Sequence, residues 1–201
     1  IVKDRSGVGK PLDLKIENPK NVRRTKGTLE VRGKTLIHSG KPATKIVNAV
    51  RRSGEITIEA WVRPANSKQD GPARMVTLSG GSSERNFTLG QEGDKVDVRM
   101  RTTKTSGNGI PSLDSPSRSL ASWLTHIVYT RNRSGLARLF LNGKQQAEKR
   151  VAGGMANWNT RYQLALANEL SSDRPWLGTF HLVAVYNRDL SAGEVAQHFK
   201  A

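Results

Sequence analysis

The sequence predicts an all-β fold, a two-sheet antiparallel β-sandwich with one short C-terminal helix. Its 201 residues suit one such sandwich, because all-β sandwiches reach about 250 residues as a single domain. Apolar and polar residues alternate along many short segments, which clusters of Gly, Pro, Asn and Ser separate. Apolar residues make up 35% of the chain and 19 glycines add to them, so the composition is that of a chain that folds around a core.

Eleven segments show the alternation expected of strands. The clearest is Glu55–Arg63, whose aliphatic side chains fall on one face and which Pro64 ends. The Asn142-Gly143 pair predicts a hairpin turn, because a type I′ turn needs positive φ at both central residues. In chain order the predicted strands are residues 12–16, 28–31, 35–38, 55–63, 75–78, 86–90, 95–102, 125–131, 137–142, 162–167 and 180–186.

The last segment predicts a helix over residues 192–199. Ser191 and Glu194 have the Ser-x-x-Glu spacing of a capping box, in which each side chain accepts from the backbone N–H of the other. Leu190 and Val195 flank this box and can pack together as a hydrophobic staple. Two loops also stand out, the polar segment 103–122 and the Gly-rich segment 152–160. A loop of about 20 residues is either functional or flexible, and the sequence leaves both alternatives open.

Composition excludes several kinds of site. The chain has no cysteine, which removes disulfides and zinc–thiolate centres. No run approaches the roughly 18 apolar residues of a membrane span, and no signal peptide opens the chain. The four histidines show no metal-binding spacing. The sequence begins Ile-Val-Lys, so we expect a piece of a longer protein.

Seven motifs follow one another along the chain: Asp4-x-Ser6-Gly7-x-Gly9-x-x-Leu12, Thr57–Pro64, Asn86–Gly90, His126–Thr130, Ala137–Gly143, Gly178–Phe180 and Val185–Ser191. Their order resembles the laminin-G-like, concanavalin A-like jelly-roll superfamily of bacterial envelope and secreted proteins. The resemblance covers nearly the whole chain, so residues 1–201 are expected to form a single domain. It implies two antiparallel sheets packed face to face, with a flat or concave face and rim loops that bind glycans or proteins. Secretion, or a place in the envelope of a bacterium, is also implied.

The last strand departs from the pattern of this family. Relatives carry Ile-Asp-Glu-Val there, and its Asp helps to hold calcium, whereas this chain has Phe180–Val183. The loss of both carboxylates removes oxygen ligands that calcium requires. We therefore predict no metal and no cofactor. Calcium held by Asp4, Glu169 and Asp173 is the alternative.

No set of acidic residues fits glycoside hydrolysis. Related β-1,3-glucanases use Glu-x-Asp-x-x-Glu on one strand, and the nearest match here, Glu92–Asp97, ends in Asp and has Gly93 at a predicted hairpin turn. Glu55 and Glu59 lie about 13 Å apart on an extended strand, too far to flank one glycosidic bond. We interpret them as surface or sheet-face charges and predict no catalytic residue.

Positive charge is the main functional signal. The formal net charge is +16, and the first 150 residues carry all of the excess, with 29 Lys and Arg against 13 Asp and Glu. Arg99 and Arg101 alternate on one predicted strand, about 7 Å apart, where both guanidiniums can bind carboxylates or sulfates. The alternative is that they pair with Asp97 and cross-strand acids. Asn108, in the loop that follows, is a candidate hydrogen-bonding residue.

Exposed aromatic rings are a second signal for sugar binding. Trp158 lies between Asn157 and Asn159 in a predicted loop, so we predict an exposed stacking platform there. Trp61 and Trp176 resemble structural aromatics of the family and are expected in the core. The predicted ligand-binding residues are therefore Arg99, Arg101, Asn108 and Trp158.

These residues favour a non-catalytic binding module for acidic or sulfated polysaccharide. One alternative is an interaction or spacer domain that docks on other domains of its parent protein, and another is a glycosidase or lyase of the same fold. The chain has no nucleic-acid-binding motif, so no specific nucleic acid is expected, nor is membrane insertion. We expect a monomer.

Overall fold

The computed structural model describes residues 1–201 and confirms an antiparallel two-sheet sandwich. The chain forms fourteen strands and two helices, α1 (Thr44–Ser53) and α2 (Ala192–Lys200). In chain order the strands are β1 (Lys15–Ile16), β2 (Val22–Thr25), β3 (Thr28–Val31), β4 (Ile37–His38), β5 (Ile56–Pro64), β6 (Ala73–Gly81), β7 (Glu84–Glu92), β8 (Lys95–Met100), β9 (Leu113–Asp114), β10 (Thr125–Arg131), β11 (Leu136–Leu141), β12 (Lys144–Arg150), β13 (Gln163–Leu166) and β14 (Gly178–Tyr186).

Each sheet has seven strands. Sheet I has the order β1-β4-β13-β6-β7-β8-β9, and sheet II has the order β12-β11-β10-β5-β14-β3-β2. One core of 37 buried residues lies between them. The alternation predicted for β5 is confirmed, since Ile56, Ile58, Ala60 and Val62 are fully buried in this core. Trp176 is also in the core, as predicted, and packs on Phe180 with the ring centroids 4.7 Å apart.

Three strands were not predicted. The strand β12 follows the predicted Asn142-Gly143 turn, whose φ angles of 50° and 74° confirm positive φ at both residues. Its sequence, KQQAEKR, contains one apolar residue and so shows no alternation. The strand β2 is a mostly exposed edge strand, and β9 is a two-residue strand within the loop 103–122. Edge strands bury little apolar surface, so their sequences carry a weak signal.

The helix α2 is confirmed, with its capping box formed by Ser191 and Glu194. Leu190 and Val195 pack with Val128 and Phe140, which places α2 on the outer face of sheet II. The other helix, α1, was not predicted, because Ala43 at its N-cap offers no capping side chain. Neither helix has the length and apolar character needed to cross a membrane.

Candidate functional site

The outer face of sheet I, turned away from the core, is polar. Strand register aligns Thr77 of β6 with Thr88 of β7 and Arg99 of β8. Successive side chains of a strand point to opposite faces, so these residues lie opposite the buried aliphatic ones. We call the following residues the polar face: Arg74, Thr77, Ser79, Arg85, Thr88, Asp97 and Arg99.

A buried ion pair lies on the polar face. Arg74 Nε donates to Glu169 Oε2 at 3.0 Å, and neither side chain is exposed to solvent. The Ser79 hydroxyl donates to the other oxygen of Glu169. Glu169 belongs to the segment after β13, which therefore folds over the polar face. Both oxygens of Glu169 are therefore engaged, Oε2 by Arg74 and Oε1 by Ser79 and by the Leu170 N–H at 3.0 Å.

Arg85 is a second buried guanidinium, and it has no carboxylate in hydrogen-bonding contact. Its Nη1 donates to Thr88 Oγ1 at 3.0 Å and its Nη2 donates to the Ser82 carbonyl, while its Nε has no partner. Burial, followed by the charge of Arg74, lowers the pKa of Arg85 to about 10, so the side chain is charged at neutral pH. Of these two buried guanidiniums, only that of Arg74 is paired with a carboxylate, Glu169.

Arg99 and Asn108, two of the predicted binding residues, lie together at the edge of this face. Arg99 Nη1 donates to Asn108 Oδ1 at 3.4 Å, and Arg99 Nε donates to Asp97 Oδ1 at 3.0 Å. The alternative in which Arg99 pairs with Asp97 is therefore the arrangement found. Burial raises the pKa of Asp97 against the opposing charge of Arg99. The side chain of Arg99 is 18% exposed.

Arg101 lies just beyond the end of β8, which closes at Met100 and not at the predicted residue 102. Its backbone N–H still donates to the Asn86 carbonyl at 2.9 Å, so pairing with β7 continues. Arg101 is half-buried, its guanidinium forms no ion pair, and its positive charge lowers the pKa of Tyr162 against the larger raising effect of burial. Unlike Arg99, Arg101 therefore has a guanidinium free of carboxylate partners.

The prediction of an exposed platform at Trp158 is wrong. Its side chain is 2% exposed and lies against Phe87, with ring centroids 6.0 Å apart. The indole N–H donates to the Arg101 carbonyl at 2.8 Å. The ring is buried because the two predicted loops pack together, with Thr102 Oγ1 donating to the Ala152 carbonyl. Trp158 supports the backbone of Arg101 and offers no face to a ligand.

The loop 103–122 has a defined conformation that brings it against the polar face. The Arg85 backbone N–H donates to the Gly107 carbonyl at 3.1 Å. Gly109 has φ of 70°, and a Cβ there would lie 2.8 Å from the Met100 nitrogen. Only glycine therefore permits this close approach to β8. The loop places Asn108 beside Arg99.

The outer face of sheet II carries a second polar cluster that the sequence did not reveal. Glu59 Oε1 accepts from His126 Nε2 at 2.8 Å and Glu59 Oε2 accepts from the Tyr186 hydroxyl at 2.8 Å, while His198 Nδ1 of α2 lies 3.2 Å from Oε2. Of the two interpretations of Glu59, the sheet-face charge is the one found, and the surface charge is wrong because Glu59 is 2% exposed. Trp61, expected in the core, instead lies half-buried here and stacks on His126 at 4.6 Å.

Burial by itself raises the pKa of Glu59. Hydrogen bonds from His126, Tyr186 and His198 outweigh this effect and lower the pKa below its usual value. Because His198 lies on α2 whereas His126 and Tyr186 lie on strands of sheet II, the carboxylate links the helix to the sheet. The cluster therefore resembles a structural clamp more than a catalytic acid.

The residues considered for catalysis or calcium do not converge. Gly93 and Asp94 form the predicted turn between β7 and β8, and Glu92 Oε2 accepts from the Gly71 N–H. Asp4 pairs with Lys45, and Asp173 pairs with Arg174. No three His, Asp or Glu side chains form a group that could hold a metal ion.

Comparisons with solved structures support the sandwich architecture. Botulinum neurotoxin type C, whose cell entry is described as dependent upon interaction with two ganglioside molecules, superposes with a TM-score of 0.72 at 15% identity, over 98% of this chain and 48% of that chain. The binding domain of botulinum neurotoxin DC, in complex with rat synaptotagmin II, gives 0.67 at 12% identity, over 99% and 51%. This chain therefore spans about half the length of those two chains.

A smaller structure matches over most of its own length. The carbohydrate-binding module CBM40 of the Ruminococcus gnavus IT-sialidase, bound to α2,3-sialyllactose, gives a TM-score of 0.63 at 18% identity, over 79% of this chain and 91% of that chain. At such identities these likenesses describe the fold alone.

Sequence comparison supplies the family. No curated protein matches the chain. A family model described as the concanavalin A-like lectin/glucanases superfamily matches residues 38–196, more than three quarters of the sequence. The strand order and the core agree with this match, and the resemblance seen in the sequence motifs is confirmed. The chain belongs to the concanavalin A-like lectin/glucanases superfamily.

Proposed function

We propose that the protein is a non-catalytic binding module for acidic or sulfated polysaccharide. The binding surface comprises Arg99, Arg101, Asn108 and the loop 103–122 at the edge of the polar face. The observation that carries the proposal is the set of guanidiniums without a paired carboxylate: in the interior of this face Glu169 pairs with Arg74 and not with Arg85, and Arg101 forms no ion pair.

The buried charges act at the surface because little solvent screens them. Salt largely screens the interaction between exposed charges that are more than about 8–10 Å apart, whereas the interactions of buried charges are screened much less. Arg74 and Arg85 therefore raise the potential above the polar face. A polyanion approaching this face meets Arg101. The planar guanidinium of Arg101 can donate two parallel hydrogen bonds to carboxylate or sulfate oxygens.

Hydrogen bonding fixes the geometry of the edge. Asp97 and Asn108 hold Arg99 in one orientation, so less conformational freedom is lost when a ligand binds. Because Asn108 accepts through its oxygen, its amide N–H groups remain for sugar hydroxyls. The structural neighbours support a binding role, since one is described with gangliosides and another with sialyllactose, which carries a carboxylate.

The remaining proposals follow from the family and the sequence. We infer a single domain of a longer protein that is secreted or placed in a bacterial envelope, acts as a monomer, and uses no metal or cofactor. Its partner is an acidic glycan and not a nucleic acid or a membrane interior. An interaction or spacer domain, and a glycosidase or lyase, are the competing functions.

Replacing Arg101 by Gln is expected to weaken binding to polygalacturonate and chondroitin sulfate about tenfold at 50 mM salt. The reason is that a hydrogen-bonded charge contributes about 1.5 kcal/mol or more, and 1.4 kcal/mol corresponds to tenfold in affinity. Isothermal titration calorimetry at 50 and 500 mM NaCl measures the effect, and the higher salt should weaken wild-type binding strongly. Lys26→Gln, which removes the same charge from the β2–β3 turn, should change affinity less than twofold.

Other results would favour a competing function. Absence of binding to either polyanion at 50 mM salt would reject the glycan module and favour an interaction or spacer domain. Release of reducing ends from either polysaccharide would indicate a glycosidase or lyase.

A further inference from the structure

A small cationic cavity lies at the rim of the sandwich, between the loop that follows β8 and the end of β12. Its volume is about 150 Å³ and its seven lining residues include Lys104, Lys149 and Arg150 but no acidic residue. We call it the rim cavity. The rim cavity lies where the two sheets meet, because β8 belongs to sheet I and β12 to sheet II.

The cations of the rim cavity have no carboxylate partners. Lys149 Nζ donates to the Ser112 carbonyl at 3.0 Å, and neither Lys104 nor Arg150 forms an ion pair. The neighbouring acid on β12 is Glu148, and it is engaged by Arg138 Nε at 3.0 Å. Three cationic residues therefore line one cavity, and none of them is paired with a carboxylate.

A fourth positive charge lies behind the wall of the rim cavity. Arg131 is fully buried and donates from Nη2 to the Val151 carbonyl at 2.9 Å, and also to the Gly153 carbonyl. Val151 is itself a lining residue. The hydrogen bonds of Arg131 go to carbonyls and not to a carboxylate, so its charge adds to that of the rim. A cleft lined by charge of one sign over a low-dielectric wall concentrates counter-ions.

We propose that the rim cavity binds one oxyanion substituent, a sulfate ester or a carboxylate, of the acidic polysaccharide. This assignment rests on the proposed function. Lys104 follows Arg101 by three residues, so their Cα atoms are at most about 11 Å apart. One polysaccharide chain can therefore reach the guanidinium of Arg101 and the rim cavity together.

Replacing Arg150 by Gln tests this assignment. Calorimetry with chondroitin sulfate at 50 mM salt should show about tenfold weaker binding, and Lys104→Gln should show a similar loss. Arg23→Gln on β2, at the opposite edge of sheet II, removes the same charge and should change affinity less than twofold. Hyaluronan carries carboxylate alone. A loss confined to chondroitin sulfate identifies sulfate as the bound group, and an equal loss with hyaluronan identifies carboxylate.

A second readout separates this assignment from the proposed function. Titration with sodium sulfate, followed by amide NMR shifts, should give saturable changes at Thr105, Val151 and Ala152 that Arg150→Gln abolishes. If sulfate shifts these amides but no glycan binds, the rim cavity is an oxyanion site, but its assignment to a polysaccharide is overturned together with the proposed function. If both cavity variants bind chondroitin sulfate as the wild type does, while Arg101→Gln weakens it, the rim cavity is rejected and the proposed function stands.

Discussion

Replacing Glu169 by Gln is expected to lower the free energy of unfolding by about 3–5 kcal/mol. Removing one partner of a buried ion pair leaves an uncompensated charge in a low-dielectric interior, which has a cost of this size. The change is severe here because Arg74 and Arg85 are both fully buried and Glu169 is the carboxylate that Arg74 contacts. Ser79 would also lose an ionised acceptor.

Thermal unfolding measures this loss. In a chain of this size 1 kcal/mol shifts the midpoint by about 2–4 °C, so the midpoint should fall by roughly 6–20 °C. Glu30→Gln is the matched control, because Glu30 pairs with Arg32 at 2.8 Å with both side chains substantially exposed. Exposed pairs contribute at most about 1 kcal/mol. If Glu169→Gln and Glu30→Gln unfold at similar temperatures, carbonyl groups alone satisfy the buried arginines.

The sandwich was predictable because its central strands bury one face. The prediction for β10 had the observed bounds, Thr125–Arg131, and that for β5 differed by one residue at each end. In such strands every second side chain faces the core and is aliphatic, so apolar and polar residues alternate along the sequence. The strands β2, β9 and β12 lie at sheet edges. They bury less apolar surface, and their sequences lack the pattern.

The buried charges could not be predicted by the same reasoning. Arg74 and Glu169 are 95 residues apart in the sequence. Arg and Glu side chains are usually exposed, so neither residue considered alone predicts burial. Only the strand register and the segment after β13 bring them together. The misplacement of Trp158 has the same origin, since its asparagine neighbours indicate exposure while the packing of two loops buries the ring.

The predicted edge of the binding surface depended less on such long-range packing. Arg99, Arg101 and Asn108 lie within ten residues of one another, and Gly109 lets the loop return to β8. Local chain geometry therefore brought Asn108 to Arg99. What the sequence did not show was the positive charge beneath them. That charge makes the potential above the polar face more positive.

Replacing Glu59 by Met is expected to lower the free energy of unfolding by about 3 kcal/mol. Met preserves the size of the side chain but removes both oxygens, so His126 Nε2 and the Tyr186 hydroxyl lose their acceptor. Leaving a buried donor without a partner costs about 1–3 kcal/mol. Glu59→Gln should cost about 1 kcal/mol, because an amide can still accept from one neighbour and donate to another. Urea unfolding at pH 7 measures both variants.

The wild-type advantage over Glu59→Gln should shrink as the solution is acidified. Hydrogen bonds from His126, Tyr186 and His198 hold the pKa of Glu59 below its usual value despite burial, whereas an unfolded chain has a Glu pKa of about 4.3. Between these two pKa values the unfolded state binds a proton that the folded state does not, so acid favours unfolding. The contribution is complete above about pH 4.3 and is lost as the pH falls through the folded pKa. Glu55→Gln, half-buried immediately before β5, should stay within about 0.5 kcal/mol of the wild type. A constant difference between wild type and Glu59→Gln from pH 7 to pH 3 would show that the carboxylate is not ionised in the clamp.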